Sequence, residues 1–234
     1  MYGFSGYGTY LLFALPALLL GFWAQLKIQS AYRKFSQIRI FSGVTGAMAA
    51  RRVLDAYGLH NVRIEAIQGT LTDHYDPTSH VLRLSAAVYQ TPSIAAVGVA
   101  AHEAGHAIQH AESYPWLTLR TVMVPTVNIG SFLGPIIFIV GLLLAGSIGT
   151  SIAWVGLGLF SFTAVFALVT LPVELNASAR AKAALQSTGI VISSEVDGIN
   201  SVLNAAALTY VAGAAQALST LAYYAFMLLG RNRD

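Results

Sequence analysis

The sequence predicts a mainly α-helical integral membrane protein of about four transmembrane helices, which also carries a metal-binding core with a small antiparallel β-sheet. Three observations predict it. The hydrophobic fraction of 56%, the charged fraction of 10% and the mean hydropathy of +0.63 lie outside the range of soluble domains. Four uncharged apolar runs are long enough to cross a bilayer. One helix between the first and second runs brings two histidines and a glutamate together at metal-site spacing. The chain has no cysteine, which excludes disulfides, thiolate metal sites and cysteine nucleophiles. The net charge of +3 comes without a basic cluster interleaved with stacking aromatics, so nucleic acid is not an expected partner. The expected partner is the lipid bilayer.

Tyr7 to Leu26 contains no charged side chain and has the ~20 residues that span a hydrocarbon core. Tyr7, Tyr10 and Trp23 sit near its ends, where interface aromatics belong. No Lys or Arg precedes the run and it exceeds an h-region in length, so it reads as a membrane anchor and not as a cleaved signal. Lys27, Arg33, Lys34 and Arg39 follow, and the positive-inside rule then puts the next segment in the cytoplasm.

Gly46 to Tyr57 reads as an amphipathic helix stopped by Gly58, with Met48, Val53, Leu54 and Tyr57 as its apolar stripe and Arg51 and Arg52 facing solvent or headgroups. Val62–Ile67 and Val81–Ser85 alternate as strands do, and Asp73–Ser79 holds turn formers. Residues 61–85 are therefore expected to form a small antiparallel hairpin sheet, whose edge could hold an extended peptide. Thr91-Pro92-Ser93 starts the next helix, with the Thr91 hydroxyl as cap and Pro92 in the first turn. Pro115 breaks the pattern after it. The runs Val122–Ala145 and Ile152–Val173 form a transmembrane hairpin joined by the polar turn Gly146–Ser151. Residues 175–187 read as an alanine-rich helix, Ser193–Asp197 starts another, and Ala205–Leu229 is the fourth span, ending at Arg231-Asn-Arg-Asp234.

The expected organisation is thus a first span (1–26), a cytoplasmic-side zincin-like region (27–120), the hairpin (121–173), a helical region that would supply a third ligand (174–204) and the last span with its tail (205–234). Residues 27–120 hold nine Lys or Arg, 174–204 hold two, the 146–151 turn none and the tail two. That distribution keeps the metal-binding region on the cytoplasmic face. Gly134, Gly141, Gly156 and Gly158 would permit close helix contacts, within one chain or between copies in a homo-oligomer.

The motif is His102-Glu103-Ala104-Gly105-His106, inside Val97–His110. Residues four apart on a helix share one face, so both imidazoles reach one ion. Glu103 lies about 100° round the helix from His102, near enough to take a proton from a water at that ion. This is what a zinc peptidase needs from its first helix, and it implies a zincin-like core. Small residues around the motif (Gly98, Ala100, Ala101, Ala104, Gly105, Ala107) allow another element to pack close.

Catalytic zinc takes three protein ligands and keeps one position for water. His110 lies about 12 Å of helix rise beyond His102, which is too far for the same ion, and Glu112 fails for the same reason. His74 and His80 lie in the strand–turn region and could touch substrate, and Asp197 is a weaker candidate ligand. Glu174 has a topological argument: two crossings separate it from His106, so it returns to the same membrane face, on a second element and at the start of a helix.

Beyond the motif, Gly69-Thr-Leu-Thr-Asp-His-Tyr-Asp-Pro77, Val97–His110, Pro172-Val-Glu-Leu-Asn-Ala-Ser178 and Asn204-Ala-Ala-Ala-Leu-Thr-Tyr210 together resemble the bacterial neutral zinc metallopeptidase family of YugP-like membrane proteins. More distantly the chain is similar to the membrane heat-shock and CAAX-type zinc proteases. That resemblance implies Glu174 as third ligand of a gluzincin-like site. Such relatives usually carry Asp four residues after the Glu; here the position is Ser178, so orienting the ligand imidazole either passes to Ser178, Asn176 or Asp73 or is missing. The resemblance implies a membrane endopeptidase of the bacterial plasma membrane, holding one zinc per chain and cleaving peptides or membrane proteins. His102, His106 and Glu174 would bind the metal, Glu103 would act as general base, and Tyr75, His74, Arg180 or Tyr210 would steady the oxyanion. The alternatives are an intramembrane protease and a non-catalytic scaffold stapled by zinc. Against the first, only about eight apolar residues precede His102 and polar Gln109, His110 and Glu112 soon follow.

Overall fold

The structure, a computed structural model, describes the backbone of residues 3–231 and the side chains of 8–230. The expected anchors Tyr7, Arg231 and Arg233 fall outside the described side chains. In chain order the elements are α1 (Gly3–Ser36), α2 (Gly46–Ala56), β1 (Arg63–Ile67), β2 (His74–Asp76), β3 (Val81–Ser85), α3 (Ala86–Gln90), α4 (Ile94–Ala111), α5 (Pro115–Leu143), α6 (Gly146–Ser187), a 3₁₀ turn (Ser193–Glu195) and α7 (Val196–Arg231). Among the described residues, four helices are long and apolar enough to cross a membrane: α1 from Gly8, α5, α6 and α7 with its preceding turn. This is a mainly α membrane protein with a small sheet.

The chain divides into two compact units. The first comprises the chain up to Trp23, Leu119–Leu171 and the chain from Thr209; the second comprises Ala24–Thr118 and Pro172–Leu208.

In the first unit α5 and α6 touch backbone to backbone. A Cβ on Gly141 would strike Ala153 and one on Gly156 would strike Phe138, so these glycines are used within the chain, whereas Gly158 faces open space. Phe138 is buried and stacks on Tyr224 of α7 at 4.3 Å between centroids. Ser219 of α7 donates to the Phe13 carbonyl of α1. Outward side chains are large and apolar, with Leu12, Val122, Phe132 and Leu143 well exposed, a surface suited to lipid. The link between α5 and α6 is shorter than expected. Gly146 adopts φ +77° and reverses the chain, and the polar residues after it already form the first turns of α6.

In the second unit α4 is the central helix. Its cap is Ser93, whose hydroxyl accepts from Ala96 N, and not Thr91; Pro92 precedes the cap and its carbonyl accepts from Ile40 N. Val97, Ala100, Ala101, Ala104 and Ile108 of α4 pack with Val53 and Leu54 of α2, Leu82 and Leu84 of β3, and Ala181 and Leu185 of α6. Full burial of each leucine or isoleucine there contributes roughly 1.5–3 kcal/mol. On α2, Thr45 caps the start and Gly58 (φ +72°) follows the end. Its buried stripe is Ala49, Ala50, Val53 and Leu54, while the expected Met48 and Tyr57 are exposed, because the close approach of neighbouring helices selects small side chains on that face. Arg51 is not merely solvated: it donates to the Val62 and Leu59 carbonyls at 2.7 and 2.8 Å and pairs with Asp55.

The sheet is mixed, in the order β1-β3-β2, and corrects the antiparallel hairpin: β1 pairs parallel with β3, and only β2 runs antiparallel to it. Alternation identifies a strand but not its direction, and the connection from β1 to β3 is long enough to make a crossover that itself contains β2. Arg83 on the central strand pairs with Asp76 of β2 at 3.0 Å and with Glu65 of β1 at 3.6 Å.

The alanine-rich region after the hairpin is not a separate helix. α6 continues unbroken through Pro172 to Ser187, 42 residues and about 63 Å, so Glu174 lies in its interior and not at a helix start. Proline removes one hydrogen bond, and the helix formers beyond it (Ala177, Ala179, Ala181) carry the helix on.

Candidate metal centre

Two helices of the second unit build the site. α4 supplies His102 and His106, one turn apart, with ring centroids 4.8 Å from each other and the planes edge to face. α6 supplies Glu174 from the facing side. Its Oε2 lies 3.1 Å from His102 Nε2 and 3.5 Å from His106 Nε2. Gly105 explains the approach: a Cβ there would sit 2.5 Å from the Ala177 carbonyl oxygen, so only glycine lets α4 and α6 come this near.

The ligand atoms of His102, His106 and Glu174 all lie within 4.8 Å of one another, and among the described residues they are the one such group of three. His74, His80, His110, Glu112 and Asp197 are not part of it. Glu103 is buried beside the group, 9% exposed, and its charge acts on His106.

The remaining ring nitrogens are held from behind. His102 Nδ1 meets Ser178 Oγ at 3.1 Å, and His106 Nδ1 meets Gln109 Oε1 at 3.0 Å. Gln109 donates to the Val173 carbonyl at 2.8 Å and to Asn176 Oδ1 at 2.9 Å. Arg180 Nε donates to Asn176 Oδ1 at 2.7 Å, and Arg180 Nη1 pairs with Glu112 at 2.7 Å. Of the three candidates to orient the ligands, Ser178 thus touches His102 directly and Asn176 acts one step away. Asp73 is occupied elsewhere, accepting from Ser85 N and Oγ, and burial raises its pKa. Gln109 was not anticipated. Its signal was its position three residues after His106, on the ligand face of the helix.

Burial would keep the His106 imidazole neutral, but the hydrogen bond to Glu174 and the charge of Glu103 outweigh it and raise its pKa. The centre asks for positive charge between Glu174 and the imidazoles. The donor set suits zinc: two imidazole Nε2 atoms, one carboxylate oxygen, and outer partners on both Nδ1 atoms.

The other expected site residues lie around α4. Tyr75 on β2, which packs against α4, bonds through its hydroxyl to His110 Nδ1 at 2.9 Å; burial pushes its pKa up to about 12. His110 also lies against the His80 ring at 5.2 Å. His74 is exposed and bonds to the Thr72 carbonyl. Arg180 lies over the Tyr114 ring. Tyr210 belongs to the other unit.

Over residues 10–229 the chain matches the family described as "Putative neutral zinc metallopeptidase". The chain belongs to this family. It is also 47% identical over 228 residues to the "Putative membrane protease YugP" of Bacillus subtilis (strain 168), covering 96% of this chain and 99% of the relative. No solved structure matches the chain significantly. Family membership makes zinc the metal implied for the His102, His106 and Glu174 group.

Proposed function

We propose that the protein is a zinc-dependent membrane endopeptidase, with one zinc per chain held by His102, His106 and Glu174. The observation that carries this reading is the ligand count. Among the described residues three protein ligands converge, not four, and a buried glutamate stands next to the first of them. Structural zinc sites close all four positions with protein, whereas catalytic sites keep one for water; this argues against the stapled scaffold.

Zinc bound there would lower the pKa of a coordinated water toward neutrality and polarise the scissile carbonyl. Glu103 is the base that would take a proton from the attacking water and return it to the leaving amine nitrogen. Ser178 and Gln109 hold the imidazoles in place. The oxyanion needs a donor. Tyr75, His74 and Arg180 are the candidates, and each holds another partner in the absence of substrate: His110, the Thr72 carbonyl, and Asn176 with Glu112. β2 is an outer strand packed against α4, and an extended segment of a peptide or membrane protein would pair with it. The site faces the cytoplasm, by the nine basic residues between 27 and 120.

The test combines zinc content with cleavage of an unfolded protein such as casein by purified full-length chain. Wild type should carry about one zinc per chain and Glu174→Ala should lose most of it. Glu103→Gln should keep its zinc and lose about 10²–10⁴-fold in turnover. Cleavage by Glu103→Gln at the wild-type rate would refute the mechanism, and full zinc in folded Glu174→Ala would refute the ligand set.

A further inference from the structure

We propose that Gln109 is a positioning residue that sets the tautomer of His106, and that Arg180 and Asn176 lock Gln109 in the orientation this requires. The proposal rests on reading His106 as a zinc ligand.

The relay starts from groups whose donor and acceptor roles are unambiguous. A guanidinium only donates hydrogen bonds, and a backbone carbonyl only accepts them. Arg180 Nε lies 2.7 Å from Asn176, so the atom it meets is the Asn176 carbonyl oxygen. The same oxygen faces Gln109 at 2.9 Å, and the Val173 carbonyl faces the same Gln109 atom at 2.8 Å. Two acceptors therefore converge there, and that atom must be the amide nitrogen. Gln109 Oε1 is left toward His106 Nδ1, 3.0 Å away, where only an N–H suits it. His106 Nδ1 therefore carries a proton, which leaves Nε2, 3.5 Å from Glu174 Oε2, as the nitrogen that would bind the metal.

Gln109 is fully buried. A flipped amide would set oxygen against two oxygens and an NH₂ against the imidazole N–H, away from bulk solvent. Arg180 is itself fixed, by Glu112 at 2.7 Å and by the Tyr114 ring at 5.8 Å. Val173, Asn176 and Arg180 lie on one face of α6, His106 and Gln109 on one face of α4 and Glu112 at its C-terminal cap, so the relay closes the seam between the two helices. His102 has no equivalent lock, because the Ser178 hydroxyl either donates or accepts.

The experiment uses the metal-free full-length chain in detergent, its histidine side-chain ¹⁵N signals, and zinc affinity measured by chelator competition. Above the raised pKa of His106, where the ring is neutral, wild type should show the Nδ1–H tautomer. Gln109→Leu should lose that bias and bind zinc about 10–100-fold more weakly. Arg180→Met should shift both in the same direction by less, and should add nothing on top of Gln109→Leu, because both act through one chain of bonds. Folded Gln109→Leu with the wild-type tautomer and zinc affinity would overturn the proposal, as would losses that multiply in the double variant. If Gln109→Leu does not fold, Asn176→Ala cuts the relay at its middle, and an unshifted tautomer there would overturn it equally. If the wild type binds no zinc, the zinc reading fails while the metal-free tautomer still decides the relay.

Discussion

At the scale of single residues, the site separates groups that carry charge from groups that aim them. Ser178 lies one turn beyond Glu174 on α6, and its hydroxyl reaches His102 Nδ1 at 3.1 Å. Ser178→Ala should therefore weaken zinc about 10–100-fold while the fold survives, measured by chelator competition against wild type. His110 offers a separate check. Burial, together with the neighbouring His80, lowers its pKa below the ordinary 6.5. The unfolded chain then takes up the proton first, so stability should fall as pH drops below about 6.5. His110→Gln should flatten that slope in thermal unfolding curves at pH 5 and 7. An unchanged slope would show that Tyr75 and His80 leave His110 energetically free.

At the scale of elements, the contact between α4 and α6 decides whether the ligands meet. Gly105→Ala would force a Cβ against the Ala177 backbone oxygen, which no side-chain rotation can relieve. The expected cost is about 1–3 kcal/mol, with loss of zinc as the helices part, read as a lower melting temperature and reduced zinc per chain. Some of this contact was legible in the sequence. His102, Glu103 and His106 are related by local spacing on one helix, and the small residues around them announce a close neighbour. Glu174 followed from counting crossings and from the resemblance. Gln109 escaped because its partners lie 64 and 67 residues away on α6, beyond what helix periodicity reports. The continuity of α6 escaped because Pro172 and Glu174, read locally, mark an ending. The parallel pairing of β1 with β3 escaped because strand direction is a tertiary property.

At the scale of the whole molecule, the remaining question is which side of the membrane the site addresses, and the chain is unusually well suited to answering it. Apolar runs made the four long helices legible; sidedness rests on charge alone. With no native cysteine, each introduced thiol is the sole reporter. Ala101 and Ala107, which flank the ligands, are fully buried and would stay silent on either face. Thr78, before β3, and Ala111, at the end of α4, are exposed and suit the purpose, as does Ser147 at the start of α6. On the orientation proposed from the nine basic residues between 27 and 120, Thr78 and Ala111 would be cytoplasmic and one crossing by α5 would put Ser147 outside. An impermeant maleimide should therefore label Ser147→Cys in intact cells but label Thr78→Cys and Ala111→Cys only in inverted vesicles. The reverse pattern would turn the proposed protease site outward and exclude cytoplasmic substrates. Protection of Ala111→Cys on both sides, with Thr78→Cys accessible, would instead bury α4 in the bilayer and make the enzyme an intramembrane protease.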